Sequence, residues 1–384
     1  MPELGTLVLS LLDWYARNAR DLPWRQTTDP YAIWISEVML QQTQVKTVIP
    51  CWHRWMKKFP TINALARSKS DTVLKCWEGL GYYSRARNLH EAAQTIVSRH
   101  GGIIPRNPSE VLALPGIGRY TAGAICSIAF NLPEPILDGN AMRVLTRVFG
   151  IEKDPRENET NKRLWKVAAQ LVRCAAEFTT PTERACANFN QALMELGATT
   201  CTPRQARCSD CPIQEHCFAY QHGRVATVPK TPPRRTTLSC RLVAFVVAWK
   251  GRFLVRRRPE GKINAHLWEF PNLEANDNGA RVTRLARQCL GFNLAAIQPL
   301  CSIAHTITRY RIRLDVFRGT AQSTPILGAQ VLRWCTLKQL DDLAFPSAHR
   351  KIVRKIQAQI LQGCPKRQQF RYAQNSMKSQ ATET

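Results

Sequence analysis

The chain has 384 residues, which is enough for two or three domains. Its 54 lysines and arginines outnumber 28 aspartates and glutamates, and the formal charge of +26 is large for an enzyme of small neutral metabolites. A polyanion partner is therefore favoured, with nucleic acid first, although a generally basic protein would have the same composition. No apolar run reaches the roughly 18 residues that a membrane span needs. Residues 1–13 resemble neither a signal nor a transit peptide, so we expect a cytoplasmic protein with no membrane partner.

Apolar spacing predicts mostly helical structure in the first half of the chain. Residues 7–15 carry apolar side chains on one face of a first helix. The segment 33–45 predicts a second helix, which Pro50 closes, and residues 71–77 predict a third. We therefore assign residues 1–221 to an all-α domain.

The composition changes at residues 222–239, which are rich in proline, arginine and threonine and predict an extended basic linker. After it, the β-type run at 242–247 and the turn at Gly251 predict a strand and a hairpin. We assign residues 240–362 to a small α+β domain. Residues 363–384 are polar and basic, and we expect them to be disordered.

Four cysteines follow a helical stretch directly: Cys201, Cys208, Cys211 and Cys217, with six, two and five residues between them. Thiolates this close in sequence can converge on one inorganic centre, either zinc or an iron–sulfur cluster. Zinc sites usually pair their ligands as two close doublets, and only Cys208 and Cys211 form one here. We therefore favour an iron–sulfur cluster over zinc. Disulfides are the least favoured, because no secretory signal opens the chain.

A Gly-x-Gly turn, formed by Gly116 and Gly118, precedes a helix of small residues that begins near Arg119. Glycines let backbone amides approach a phosphate, and a helix N-terminus adds partial positive charge. With Leu114-Pro115 in front, the segment resembles the helix-hairpin-helix, which grips DNA phosphates without reading sequence. An ordinary tight turn is the alternative.

Two carboxylates stand among apolar neighbours. Glu37 lies between Trp34 and Gln41 with no lysine or arginine nearby, so desolvation would raise its pKa and suit it to general acid catalysis. Asp138 follows Ile136-Leu137, and partial burial would fix its carboxylate. The alternatives are a first-turn glutamate stabilised by the helix dipole and an aspartate that caps the next helix.

Together these features resemble the endonuclease III superfamily of DNA glycosylases, and within it the MutY family of adenine DNA glycosylases. The resemblance covers roughly residues 5–360. It is strongest at residues 22–25, 34–44 and 79–88, at the Gly-x-Gly turn, at 138–140 and at 192–201. It implies an enzyme of base excision repair that removes adenine mispaired with 8-oxoguanine or guanine from double-stranded DNA, acts as a monomer and carries a [4Fe–4S] cluster on the four cysteines.

The resemblance also implies roles at the catalytic site. Glu37 would protonate the flipped adenine and later handle the attacking water, and Asp138 would stabilise the sugar cation. Tyr120 and Asn140 would line the same site. Bifunctional relatives have a lysine where this chain has Tyr120, and a phenol cannot form a Schiff base, so we expect a monofunctional enzyme with weak or no lyase activity.

Six residues would contact DNA. Arg25 and Gln191 would hold the extruded adenine. Gln42 and Tyr82 would wedge into the duplex and fill the gap that the flipped base leaves. Gly116 and Gly118 would contact backbone phosphates.

The C-terminal domain resembles a Nudix-type fold through residues 267–271. A Nudix hydrolase needs glutamates on one helix to hold magnesium, and residues 283–290 contain no acid, so we expect no hydrolysis by this domain. In MutY the domain recognises the oxidised guanine, often with a Phe-Ser-His loop. Here the best match is Ile307-Thr308-Arg309, and Thr308 and Tyr310 are the candidates to contact that base.

Two other functions remain open on the sequence alone. A related glycosylase could remove thymine or uracil opposite guanine, but such enzymes usually end soon after the cluster. A catalytically inactive DNA-binding protein could keep the cluster for structure, and the presence of both Glu37 and Asp138 argues against it.

Overall fold

The structure, a computed structural model, describes residues 4–178, 184–230, 236–275, 281–307, 309–322 and 331–362. Its contacts divide the chain into two compact units. The first spans Met1–Cys76 and Ser84–Arg234, and the second spans Trp77–Tyr83 and Arg235–Thr384. The first unit is helical and the second is built on a mixed sheet, so the predicted multi-domain fold class, all-α followed by α+β, is confirmed.

The described residues of the first unit form twelve α-helices: α1 Leu4–Asn18, α2 Pro30–Leu40, α3 Val45–Lys58, α4 Ile62–Ala66, α5 Ser70–Cys76, α6 Ser84–His100, α7 Pro108–Leu112, α8 Arg119–Ala124, α9 Gly139–Val148, α10 Asn158–Glu177, α11 Ala185–Thr199 and α12 Phe218–Gln221. A 3₁₀ turn covers Pro23–Arg25, and a π-helical turn, Ile125–Ala129, continues α8. One core lies between α1, α9, α10 and α11. These helices support the elements that carry the catalytic candidates.

The predicted helix through 33–45 is wrong in its limits. The chain forms two helices, α2 and α3, with a break at residues 41–44, and Pro50 lies inside α3 instead of closing α2. Gln42 within the break has a left-handed φ of 57°. The predicted linker at 222–239 contains Val228, which is 2% exposed and whose carbonyl oxygen accepts from Arg147 Nε at 2.9 Å.

The second unit contains seven strands and three helices in its described residues: β1 Leu238–Trp249, β2 Arg252–Arg257, β3 Trp268–Glu269, β4 Asn272–Glu274, α13 Val282–Leu290, β5 Leu294–Ile307, β6 Tyr310–Ala321, β7 Leu332–Cys335, α14 Leu337–Asp342 and α15 Ser347–Gln362. The main strand order is β3-β2-β1-β6-β5, with β4 beside β1 and β7 beside β2. Strands β1 and β6 are parallel, and the other pairs are antiparallel.

Alternate residues of β1 point to opposite faces of this sheet. Ala244 and Val246 belong to a core with Ile352 of α15, whereas Val243 and Phe245 belong to a second core with α13. Helix α13 and helix α15 therefore cover opposite faces. The β-hairpin predicted at Gly251 is confirmed by the antiparallel pairing of β1 with β2. In the described residues no helix is long and apolar enough to cross a membrane.

Candidate active site and cysteine-lined cavity

Helix α2 places Glu37 in the interior of the first unit. The helix begins at Pro30, and the Asp29 carboxylate accepts hydrogen bonds from the amides of Tyr31 and Ala32, which caps its first turn. Nine consecutive residues of α2, Tyr31–Met39, are buried, so the Glu37 side chain is only 5% exposed. The sequence therefore forms a helix that is apolar on all sides and carries one carboxylate within it.

The turn before α8 brings Tyr120 to this carboxylate. The Tyr120 hydroxyl donates a hydrogen bond of 2.5 Å to Glu37 Oε2 and lies 3.3 Å from Met194 Sδ. Gly116 has a left-handed φ of 70°, and a Cβ there would lie 2.4 Å from the Asn88 Cβ. Position 116 thus requires glycine, both for its left-handed backbone and for its close contact with Asn88. A Cβ on Gly118, in contrast, would meet no atom within 4 Å.

Asp138 caps helix α9 and belongs to the same site. Its carboxylate accepts from the amide of Ala141 at 2.7 Å and from Asn140 Nδ2 at 3.0 Å. Asn140 is held in turn by Arg143, whose Nη2 donates to Asn140 Oδ1 at 2.8 Å. The predicted helix cap is therefore confirmed for Asp138, and its catalytic role stays a prediction.

The electrostatics distinguish the two carboxyl groups. Burial raises the pKa of Glu37 to about 7, with a smaller raising effect from the Asp138 charge, while the Tyr120 hydrogen bond and the Arg25 charge lower it. Burial also raises the pKa of Asp138, and hydrogen bonds from Ala141 and Asn140 oppose the rise. Glu37 is consequently poised to carry a proton near neutral pH, and Asp138 has hydrogen bonds that favour its ionised form.

Arg25 lies beside this pair in a network that includes a buried carboxylate. Its Nη2 donates to Glu195 Oε2 at 2.7 Å, and its guanidinium lies 5.4 Å from the centre of the Tyr15 ring. Arg20 binds the same carboxylate, with Nη2 2.8 Å from Oε2. Glu195 is 1% exposed, and Gln191, one helical turn earlier on α11, is half-buried. No role is predicted from the sequence for Glu195, which lies within the segment 192–201. Its burial and its contacts with two arginines indicate that it positions Arg25.

The two predicted wedge residues share an uncommon backbone conformation. Gln42 and Tyr82 have φ values of 57° and 44°, and both are exposed. Non-glycine residues with positive φ are uncommon and persist where the surroundings fix them. At Gln42 the surroundings include Arg85, which is 9% exposed and whose Nη1 donates to the carbonyl oxygens of Val38 at 2.7 Å and Gln41 at 2.6 Å. Tyr82 belongs to the second unit.

The four predicted ligand cysteines come together around one cavity. Its lining includes Cys201, Cys208, Cys211 and Cys217. In the ranges that the structure describes, no three histidine, cysteine or acidic side chains converge closely enough to hold a metal ion. Zinc needs sulfur ligands at about 2.3 Å from one centre. Four thiols around a shared cavity form a donor set of the kind that binds a metal centre.

Two arginines connect this cavity to the rest of the first unit. Arg147 Nη1 lies 3.2 Å from Cys201 Sγ and 2.9 Å from the Thr202 carbonyl oxygen. Arg143, which holds Asn140, also donates through Nε to the Cys201 carbonyl oxygen at 2.8 Å. Burial raises the pKa of Cys211 to about 12, so this thiol would need the charge of a bound metal centre to become a thiolate ligand.

The candidates for contact with the partner base lie in the second unit. Thr308 is outside the described residues. Tyr310 begins β6, pairs with Ile307 of β5 and is half-buried, and the Arg309 guanidinium lies 5.5 Å from the centre of its ring. The roles of all these residues stay predictions.

Comparisons with known proteins agree with both units. Residues 35–170 match the family model of the HhH-GPD superfamily base excision DNA repair proteins, and residues 243–355 match that of the NUDIX domain. The adenine DNA glycosylase of Mus musculus is 35% identical over 90% of this chain and 76% of its own length. That of Buchnera aphidicola subsp. Acyrthosiphon pisum is 32% identical over 91% of this chain and 97% of its own length. Among solved structures, a thermostable thymine-DNA glycosylase is 31% identical with a TM-score of 0.50. The match covers 57% of this chain and 97% of the glycosylase chain.

Proposed function

The chain belongs to the adenine DNA glycosylase family, and from that premise we propose that it removes adenine paired with 8-oxoguanine or guanine in double-stranded DNA. The observation that carries the proposal is the buried Glu37 carboxyl group, hydrogen-bonded to Tyr120 and close enough to Asp138 for that charge to raise its pKa. A DNA substrate would place the enzyme with the genome, in the cytoplasm if the host is bacterial.

The proposed reaction is hydrolysis of the N-glycosidic bond of a flipped nucleotide. Protonated Glu37 donates its proton to adenine, the bond between the sugar and the base breaks, and its electron pair leaves with the base. The Asp138 carboxylate stabilises the positive charge that develops on the sugar. Water then adds to the sugar carbon and gives a proton to the Glu37 carboxylate, which restores the acid and leaves an abasic site.

Neighbouring residues would hold these groups in place. Asn140 donates to the Asp138 carboxylate and orients it, and Tyr120 does the same for Glu37. Arg25 and Gln191 would bind the extruded adenine, with Glu195 fixing the Arg25 guanidinium through its 2.7 Å contact. Gln42 and Tyr82 would occupy the gap in the duplex, and Gly116 and Gly118 would approach the phosphates.

The proposed cofactor is a [4Fe–4S] cluster held by Cys201, Cys208, Cys211 and Cys217. The shared cavity that the four thiols line supports it. A bound cluster would supply cross-links that keep the loop 201–217 folded. Of the chain's own residues, Arg147 would donate a hydrogen bond to the Cys201 sulfur.

The experiment is an excision assay on a panel of duplexes. Excess enzyme is incubated with four duplexes, which contain adenine opposite 8-oxoguanine, adenine opposite guanine, thymine opposite guanine or uracil opposite guanine. The strands are then separated by gel electrophoresis with and without alkali treatment. We expect cleavage only after alkali, fastest for adenine opposite 8-oxoguanine, because Tyr120 offers no amine for strand scission. Preferential release of thymine or uracil would establish the alternative glycosylase, and no release from any duplex would establish an inactive DNA-binding protein.

A further inference from the structure

The sheet of the second unit has one face that α13 covers only in part. Beyond the core that α13 shares with Val243 and Phe245, the same face of β1 continues at Arg241, and the same face of β6 continues at Arg311 and Arg313. We name this surface, Arg241, Arg311 and Arg313, the arginine face. Arg311 and Arg313 are exposed, and the Arg313 side chain retains 70% of its accessible surface.

On the β5 side, the neighbours of Arg311 and Arg313 are small. Across the β5–β6 pair, Arg313 is opposite Ala304 and Arg311 is opposite Thr306. On the other side, Arg311 is opposite Ser239 of β1. The β5 positions on this face are exposed, while the alternating positions Ile303 and Ile307 are half-buried. Since directly opposite side chains in a sheet are nearest neighbours, the small residues leave the guanidinium groups of Arg311 and Arg313 accessible.

One carboxylate orients two of the three arginines. Asp315 Oδ2 accepts from Arg241 Nε at 2.8 Å, and Oδ1 accepts from Arg313 Nε at 3.0 Å and from Ser302 Oγ at 2.8 Å. Contact through Nε leaves the terminal nitrogens of Arg313 able to donate to another acceptor. Asp315 carries one negative charge against three positive charges, so the arginine face keeps a net positive charge.

We propose that the arginine face binds the sugar–phosphate backbone of the duplex DNA substrate. Charge complementarity supports this occupant: planar guanidinium groups match phosphate oxygens, the terminal nitrogens of Arg313 donate to no acceptor among the described residues, and the small β5 neighbours allow close approach of a backbone. Location favours the same occupant. Arg311 and Arg313 are on β6, which begins at Tyr310, and Arg241 is on β1 opposite Arg313. The arginine face is therefore next to the hairpin end where contact with the oxidised guanine is predicted, so the backbone would be held where the base is read.

This inference rests on the proposed function for its substrate, but its test does not require base excision. Binding is measured with the full chain and a duplex in which 8-oxoguanine pairs with 2′-fluoro-adenosine, whose fluorine opposes glycosidic cleavage. Arg311→Gln, Arg313→Gln and the double variant remove charge at exposed positions and should keep the wild-type melting temperature. The matched control is Arg284→Gln with Arg287→Gln, two exposed arginines on α13.

The readout is the slope of log affinity against log salt concentration, because each phosphate contact releases counterions. Each arginine removed should lower the magnitude of that slope by about 1, and the double variant by about 2. The α13 control should keep the wild-type slope. The proposal would be overturned if the double variant kept the wild-type slope, or if its slope changed only as much as that of the control. If the arginine face binds an acidic protein instead of DNA, the double variant would keep the wild-type slope. Failure of the proposed function would appear separately, as wild-type binding without adenine release.

Discussion

The Tyr120 hydroxyl donates a 2.5 Å hydrogen bond to the Glu37 carboxylate. This contact joins the residue after the Gly-x-Gly turn to the residue proposed as the general acid, across 83 positions of sequence. A hydrogen bond to the ionised form lowers the pKa of a carboxyl group, whereas burial raises it. Tyr120 therefore limits how far burial raises the pKa of Glu37.

Replacement of Tyr120 should move the pH dependence of excision. In Tyr120→Phe the hydrogen bond is lost, so the pKa of Glu37 should rise above about 7. The single-turnover rate falls as Glu37 ionises, and that alkaline decline should shift to higher pH. The control is Met194→Leu, which alters the other Tyr120 contact and keeps the hydroxyl. An unchanged alkaline limb in Tyr120→Phe would show that the hydrogen bond does not tune the acid.

Removal of the Glu37 charge should stabilise the fold at alkaline pH. The folded protein keeps the Glu37 proton up to about pH 7, whereas an unfolded chain releases it near pH 4.5. The free energy of unfolding therefore falls as pH rises through this window. Glu37→Gln abolishes that loss and should raise the free energy of unfolding at pH 8 by up to about 3 kcal/mol, with little change at pH 4.5. Urea unfolding of wild type and Glu37→Gln at both pH values measures this difference in the free energy of unfolding. The same difference at both pH values would contradict the raised pKa of Glu37.

The purified protein should be brown and contain about four irons per chain. Cys211→Ser should lose most of the iron and the associated visible absorbance, because serine replaces a thiol in the cavity lining. Cys126→Ser changes a buried cysteine in the π-helical turn outside that lining and should retain the iron. One zinc per chain in a colourless active protein would exclude the cluster.

Selection of the partner base should depend on Thr308 and Tyr310. Thr308→Val keeps the side-chain shape but removes the hydroxyl, and should reduce the preference for adenine opposite 8-oxoguanine over adenine opposite guanine by about threefold to tenfold, the value of one hydrogen bond. Thr320→Val, at an exposed threonine farther along β6, is the control. Ratios of single-turnover rates on the two duplexes measure the preference. If Thr308→Val and Tyr310→Leu both keep the wild-type ratio, the partner base is read elsewhere.

The sequence predicts best what is decided locally. Apolar neighbours of Glu37 and Asp138 indicate burial, and the structure shows Glu37 buried and Asp138 half-buried, with the Asp138 charge acting on Glu37. The break after α2 was missed because Arg85, which binds the Gln41 carbonyl oxygen, is 44 positions away in sequence. The buried Glu195 gives no local signal either, since its partner Arg25 is 170 positions away.

The same limit applies to the segment Trp77–Tyr83. The sequence predicts only that a helix ends here, and the family resemblance adds Tyr82 as a wedge residue. In the second unit the Tyr83 hydroxyl donates to the Phe345 carbonyl oxygen at 3.2 Å, and Glu78 Oε1 accepts from Arg350 Nε at 2.7 Å. Contacts over such separations depend on the whole fold, and periodicity cannot predict them.

The central claim is that Glu37 supplies the proton for adenine release, and single-turnover excision of adenine opposite 8-oxoguanine by Glu37→Gln tests it most directly. The amide keeps the size of the side chain and can accept from Tyr120, but it cannot donate a carboxylic proton. We expect Glu37→Gln to bind the duplex within a few-fold of wild type and to excise adenine about 10²–10⁴-fold more slowly. Excision near the wild-type rate, with released adenine identified by chromatography, would contradict it.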